Sequence, residues 1–294
     1  MERLKKLFLY LPLLLIMAAV TACLHTPTSQ PGDATSALTL MVSIPAGPFI
    51  MGSTPEEREV GYRLDEARHQ SRVARENRWF EVEKRRSLSI PAYLIDLYPV
   101  TNEAYQAFVK EGGVVPFVDE ETWRGYRLIH PYGRVKRFLW RDGKYPAGRE
   151  KHPVVLLSHD DADGFCRWRG RVEGRNLRLP TEEEWEKAAR GVAGRLFPWG
   201  DTFDPSKLNS YDSGPFDTVP VGSYPEGRSP YGLYDMAGEV FEWTSTPDII
   251  TGRFIVKGGS WDDLPGVTRS AARHGRPRDI SHILIGFRCA GELS

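Results

Sequence analysis

Cysteine is scarce, with three in 294 residues, so any soft thiolate pair for a redox metal must come from a very small stock. An excess of either charge is missing, since 39 basic residues face 39 acidic ones. That balance excludes the strongly basic surface that nucleic-acid binding demands. Lys257-Gly-Gly-Ser260 has glycines but not the Walker spacing, so no phosphate cradle is expected. No Gly-x-Ser-x-Gly elbow, zinc-protease helix or EF-hand loop occurs. No internal repeat is visible, and no linker-like stretch divides the chain after residue 40.

What the chain does have begins at its first residue. Arg3, Lys5 and Lys6 precede an apolar run from Leu7 to Val20, too short for a comfortable membrane span. The run ends in Val20-Thr21-Ala22-Cys23, which resembles a bacterial lipobox. The expectation is a lipoprotein signal peptide over 1–22, cleaved before a lipidated Cys23. A tether rich in Thr, Ser, Pro, Gly and Ala follows, over 23–40. The partner is then a lipid bilayer, reached through several acyl chains, because one alone anchors marginally. Leu24 stands where an acidic residue would favour inner-membrane retention, so the outer membrane is expected, with the protein facing periplasm or exterior. Removing Met1–Ala22 takes three basic residues and one acidic residue from 39 of each, leaving 36 and 38.

Residues 41–291 are long enough for one large domain. Eight Trp and 28 Gly suggest a loop-rich fold with aromatic anchors rather than a helical bundle. Leu40 to Gly52 reads as two short strands turning at Pro45-Ala-Gly47. Charged residues from Glu56 to Asn77 predict one or two surface helices. Strand character returns from Arg85 to Tyr98, and Thr101 or Asn102 caps a helix presenting Tyr105, Phe108 and Val109. Gly112 to Lys151 reads as irregular, and His152 to Leu157 as a short buried strand. Ser158 opens a helix whose Asp160, Asp161 and Asp163 complement its dipole rather than bind metal. Thr181 and Glu184 form a capping box with Trp185 facing inward. Arg253–Ser260, Arg269–Arg273 and Ile285–Cys289 are expected as the closing strands.

The stretch Pro230 to Trp243 packs Tyr231, Tyr234, Phe241 and Trp243 around Gly232 and Gly238, with Asp235, Glu239 and Glu242 among them. Aromatics of that density are buried, and carboxylates among them need partners. Two resolutions are open: a hard cation such as Ca²⁺, or a tight turn whose carboxylates cap backbone amides.

These words in this order resemble the formylglycine-generating enzyme (sulfatase-modifying factor) family. The matches include Ile44-Pro-Ala-Gly47, Pro99-Val-Thr-Asn102, Arg178 to Trp185, Phe197-Pro-Trp-Gly200, Tyr231-Gly-Leu-Tyr234, Gly238 to Trp243, Gly258-Gly-Ser260 and Gly286-Phe-Arg288. The resemblance covers roughly Leu40 to Gly291. It implies an α+β, C-type-lectin-like single domain of short twisted antiparallel strands, a few helices and much loop. It further implies structural calcium on Asp235, the carbonyls of Gly238 and Val240, and Glu242. A second, looser set comprises Asn209, the Ser210 carbonyl and Asp212. A disulfide between Cys166 and Cys289 is implied in the same way, which export permits.

The family's oxidases hold copper on two thiolates shortly after the Gly-Gly-Ser word. Here the matching positions are Asp262 and Val267, neither a soft ligand, so no copper is expected. Asp262, Asp263, Arg269, Arg273, His274, Arg276 and His282 cluster in sequence near that groove. Two functions follow as expectations. One is a binding or scaffold lipoprotein that holds a protein or glycan ligand. The other is an envelope oxidoreductase acting on a protein or small secreted metabolite, with iron or another hard metal at Asp262, Asp263, His274 or His282.

Overall fold

The computed structural model describes residues 40–293. Cys23, the signal peptide and all but the last residue of the tether lie outside them. No helix among the described residues is long and apolar enough to cross a membrane.

The two opening strands form where expected, β1 at Met41–Ile44 and β2 at Gly47–Met51, but they do not pair with each other. The backbone reverses at Gly47, where φ is +125°, and sends β2 into a separate ribbon with β3 (Arg86–Ile90). β1 instead pairs antiparallel with β4 (Tyr93–Asp96), which pairs on its other edge with β10 (Ala290–Glu292). β5 (Leu177–Arg178) completes that four-stranded sheet. A second sheet runs β8-β7-β6-β9, with β6 at Phe241–Pro247, β7 at Phe254–Lys257, β8 at Arg273–Arg276 and β9 at Ile285–Gly286. β6 and β9 pair in parallel, the one departure from the antiparallel expectation.

Thr101, Ser158 and Thr181 cap helices as expected, and Thr54 adds a cap that the sequence reading did not single out. α1 (Pro55–His69) carries a capping box from Thr54 and Glu57, and a short α2 (Val73–Glu76) follows. α3 (Asn102–Lys110) is capped by Thr101. The segment expected to be irregular contains α4 (Glu120–Gly125) and α5 (Tyr132–Val135). α6 (His159–Glu173) has a capping box from Ser158 and Asp161, while Asp160 and Asp163 hold Arg278 and Arg167, so the acids of that turn serve the helix. α7 (Glu182–Arg190) has the Thr181–Glu184 box and buries Trp185 completely.

Two strand expectations are corrected. His152–Leu157 is buried but forms no strand. It runs extended between Val100 and His282, to which Val154 and Leu156 donate their amides, and Leu156 takes a φ of +64°. Arg269 to Ala272 is turn, and the strand starts at Arg273, because Arg269 turns inward to an ion pair.

The largest core cluster packs Tyr105 of α3 and Phe165 of α6 with Trp243 of β6 and Phe287, while Ile44, Tyr93, Ile95 and Ala290 of the first sheet pack with Trp185 in a second cluster. Cys166 on α6 is bonded to Cys289 just before β10, as the family resemblance implied. Burying these rings supplies most of the favourable folding energy, at about 25 cal/mol per Å² of apolar surface.

Candidate functional site

The local chemistry that builds the site starts at the end of β7. Gly258 and Gly259 take φ of +94° and +73°, and a Cβ on Gly258 would press on the Trp185 ring at 3.1 Å. Only glycine turns the chain this sharply against that ring. The following loop is fixed by Asp263, whose carboxylate accepts from the Ser260 amide at 2.9 Å and from its hydroxyl. Gly266 then donates its N–H to Asp65 of α1 at 2.7 Å.

That loop faces Trp79, the 127–130 turn after α4, Phe241 of β6, Arg276 of β8 and His282. Together they enclose a groove of about 410 Å³, mostly apolar in its walls. Four polar groups enter it from the C-terminal third. Asp262 stands 2.8 Å from His130 Nε2, off the line of a good hydrogen bond, with both side chains nearly buried. Burial pushes the Asp263 carboxyl up to about 6, against the pull of the Ser260 hydroxyl. Burial pushes His282 down to about 3, helped by Arg276 and His130. His282 is therefore a neutral ring at physiological pH. Its Nδ1 accepts from the Leu284 amide at 3.0 Å, which leaves the proton on Nε2.

Asp262, Asp263, Arg276 and His282 thus converge on one groove, as their clustering in sequence suggested. His274 does not join its lining. Its ring meets Trp79 and Phe241 edge-on at 5.7 and 5.5 Å, and burial holds it down to about 3. Arg269 and Arg273 are committed to Glu83 and Glu182. No cluster of three or more His, Cys, Asp or Glu spaced to hold a metal ion occurs among the described residues.

Sequence reasoning missed Asp65, Trp79 and His130. Asp65 is 1% exposed. The available signal was its register with Gly61 and Tyr62, which marks one inward face on a helix otherwise crowded with charge.

The Pro230–Trp243 stretch behaves largely as the turn reading anticipated. Asp235 and Glu239 both have positive φ, and their carboxylates cap amides: Asp235 takes Gly222 N–H at 2.8 Å and Glu239 takes Val219 N–H at 3.0 Å. Burial pushes Asp235 up to about 6 and, with Asp235 nearby, pushes Glu239 well above the carboxylate range. Glu242 spends both oxygens on Arg288, at 2.6 and 2.7 Å, and one also accepts from Trp185 Nε1. Of the residues in the first calcium set, Asp235 is thus taken up by an amide and Glu242 by Arg288 and Trp185. In the second set, Asn209 Oδ1 and Asp212 Oδ2 are buried without a hydrogen-bond partner among the described residues, and the other polar atoms are engaged. Asp212 turns to Arg68 and His69, the Ser210 carbonyl accepts from Ser213 and Gly214, and Asn209 donates to Glu239 and the Asp217 carbonyl.

The sequence model of the sulfatase-modifying factor enzyme 1-like domain matches residues 27–293. The chain belongs to this family. It is 32% identical over 288 residues to the inactive C-alpha-formylglycine-generating enzyme 2 of Mus musculus, covering 85% of each chain. It is 29% identical to the formylglycine-generating enzyme of Bos taurus, over 91% of this chain and 79% of that one. Hercynine oxygenase of Mycolicibacterium smegmatis is 29% identical, over 91% of this chain and 64% of that one. The solved structure of PvdO from Pseudomonas aeruginosa superposes with a TM-score of 0.63 at 24% identity, covering 86% of this chain and 94% of that one, a likeness of fold.

Within this family the groove raises the question of copper. The positions matched to the thiolate pair, Asp262 and Val267, both line the groove, one held by His130 and the other 2% exposed. Cys166 and Cys289, the two cysteines of the described residues, are bonded to each other. An oxygen donor and an alkyl group do not make a Cu(I) site, so the copper chemistry does not fit these residues.

Proposed function

We propose that the chain is a binding protein of the sulfatase-modifying factor family, whose groove holds a ligand at a bacterial cell envelope without oxidising it. The observation that carries this reading is the pair Asp262 and Val267 in a groove that is otherwise intact. The similarity to a relative named as inactive supports it. Lipidation at Cys23 would hold the domain at the membrane, and a Cys23→Ala chain should leave the membrane fraction. If it stays, the anchor reading falls.

Calcium belongs to the same proposal as a structural support. Asp235, buried with no ion pair among the described residues, is the group a hard cation would relieve, with the Gly238 and Val240 carbonyls as further ligands of the same proposal.

The test uses the soluble chain from residue 26 onward, incubated with Cu(I), O₂ and a cysteine-containing sulfatase-type peptide. No aldehyde product and no titratable thiol in the unreduced protein are expected. An aldehyde, or stoichiometric iron in the purified protein together with O₂ uptake, would overturn the binding reading in favour of an oxidoreductase.

A further inference from the structure

The buried arginines among the described residues are each paired, and the half-buried Arg276 is not. Arg169, Arg190, Arg269 and Arg288 are each held by a carboxylate within 3 Å, namely Asp96, Glu186, Glu83 and Glu242. Such pairing is what makes a charge tolerable away from water. Arg276 is half-buried in the groove, yet no carboxylate lies within ion-pair distance among the described residues. Its contacts are the Phe241 ring, 5.7 Å from the guanidinium carbon, and a long 3.4 Å approach to the Gly275 carbonyl. The neighbouring acids are otherwise engaged. Asp263 attracts Arg276 from beyond ion-pair distance but its carboxylate is tied to Ser260, Asp262 faces His130 and Asp65 holds the Gly266 amide.

A second donor lies in the same groove. His282 presents its Nε2 proton, which no acceptor takes among the described residues, and its ring is braced by Trp123 at 5.2 Å. Apart from the engaged Asp65, Asp262, Asp263 and His130, the lining around these two donors is mostly apolar, from Trp79, Phe241, Leu264 and Val267. A guanidinium and a ring N–H without acceptors, set in an apolar groove, are complementary to a planar anion on an apolar body.

We propose that the groove binds an organic carboxylate whose body is apolar, with the carboxylate on Arg276 and His282 and the body against Trp79 and Phe241. This rests on the reading of the groove as a binding site and names its ligand class. The carboxylate could come from a free acid or from the C-terminus of a peptide.

The experiment is calorimetric titration of the soluble chain with four probes. They are 3-phenylpropionate, its primary amide, a peptide ending in phenylalanine with a free carboxylate, and the same peptide amidated. Binding of at least one carboxylate is expected, at least tenfold tighter than its amide. The peptide arm against the small-acid arm identifies the source. Arg276→Gln should weaken the carboxylate by roughly tenfold to a hundredfold and leave the amide unchanged. Arg276→Lys should recover part of the loss, and Arg278→Gln, at an exposed arginine held by Asp160, should change nothing. Equal affinity for acid and amide, no binding of either, or an Arg276→Gln variant that binds the acid as tightly as the parent would each overturn the ligand class. None of these would produce an aldehyde, so failure here is distinguishable from failure of the binding reading.

Discussion

Arg269→Met tests whether the groove wall is held from beneath by one buried ion pair. Arg269 Nη1 and Nη2 donate to the two oxygens of Glu83 at 3.0 and 2.8 Å, and both side chains are 0% exposed. The guanidinium also lies over Phe80 at 4.3 Å and donates to the Gly266 carbonyl. Methionine replaces the stem but leaves Glu83 with the Ser53 hydroxyl alone, at 2.7 Å. An uncompensated buried carboxylate costs about 3–5 kcal/mol. For a domain of this size that lowers Tm by roughly 10 °C or more. Differential scanning calorimetry at neutral pH reads the shift. Glu83→Leu combined with Arg269→Met removes both charges and should recover all but about 1 kcal/mol. A single variant that loses less than about 1 kcal/mol, or a double variant as poor as the sum of its parts, would refute the reasoning.

Three further outcomes are expected. Burial raises Asp65 from 3.8 to about 6, so the folded state takes up a proton that the unfolded chain does not between those values. The contribution of this group therefore improves as pH falls from about 6 towards 4. Asp65→Asn should flatten the stability–pH curve over that interval by up to about 3 kcal/mol, measured by urea unfolding at several pH values. An unchanged slope would count against the burial assigned to it. Replacing Cys166 and Cys289 with Ala releases a link across 123 positions and should cost about 2–4 kcal/mol in the same assay. Calcium at a hundredfold excess over its dissociation constant should stabilise the parent by about 2.7 kcal/mol relative to EDTA, and not Asp235→Asn. Equal Tm values in calcium and EDTA would remove the cation from Asp235.

Much of the fold was legible because its punctuation is local. Thr101, Ser158 and Thr181 each bond the amide three residues on, and each helix begins where its cap stands; Thr54 caps α1 in the same way but was not singled out. The ordered words of the family then supplied the topology that no periodicity could. What stayed hidden is non-local. His152–Leu157 has the composition of a strand, but its amides go to a loop and to His282, so extended backbone forms without a ladder. The opening pair Met41–Ile44 and Gly47–Met51 reads as a hairpin, yet each strand finds a partner elsewhere. At the site, Asp262, Asp263, Arg276 and His282 were recognisable as a cluster within 21 positions of one another, whereas Asp65, Trp79 and His130 reach the groove only through tertiary packing. The partners of Glu242 were equally out of reach, because Trp185 arrives from 57 positions before it and Arg288 from 46 positions after it.

The strand order β1-β4-β10-β5 also bears on how the molecule can be re-cut. Ile44 of the first strand and Glu292 of the last both face Tyr93, on its two edges. With strands about 4.8 Å apart, Met41 and Glu292 are roughly 14 Å from each other, a gap that a handful of glycines and serines spans. The hairpin tip at Ile249 and Ile250, more than nine-tenths open to solvent, offers new ends far from either sheet's interior. A circular permutant opened there should keep both sheets.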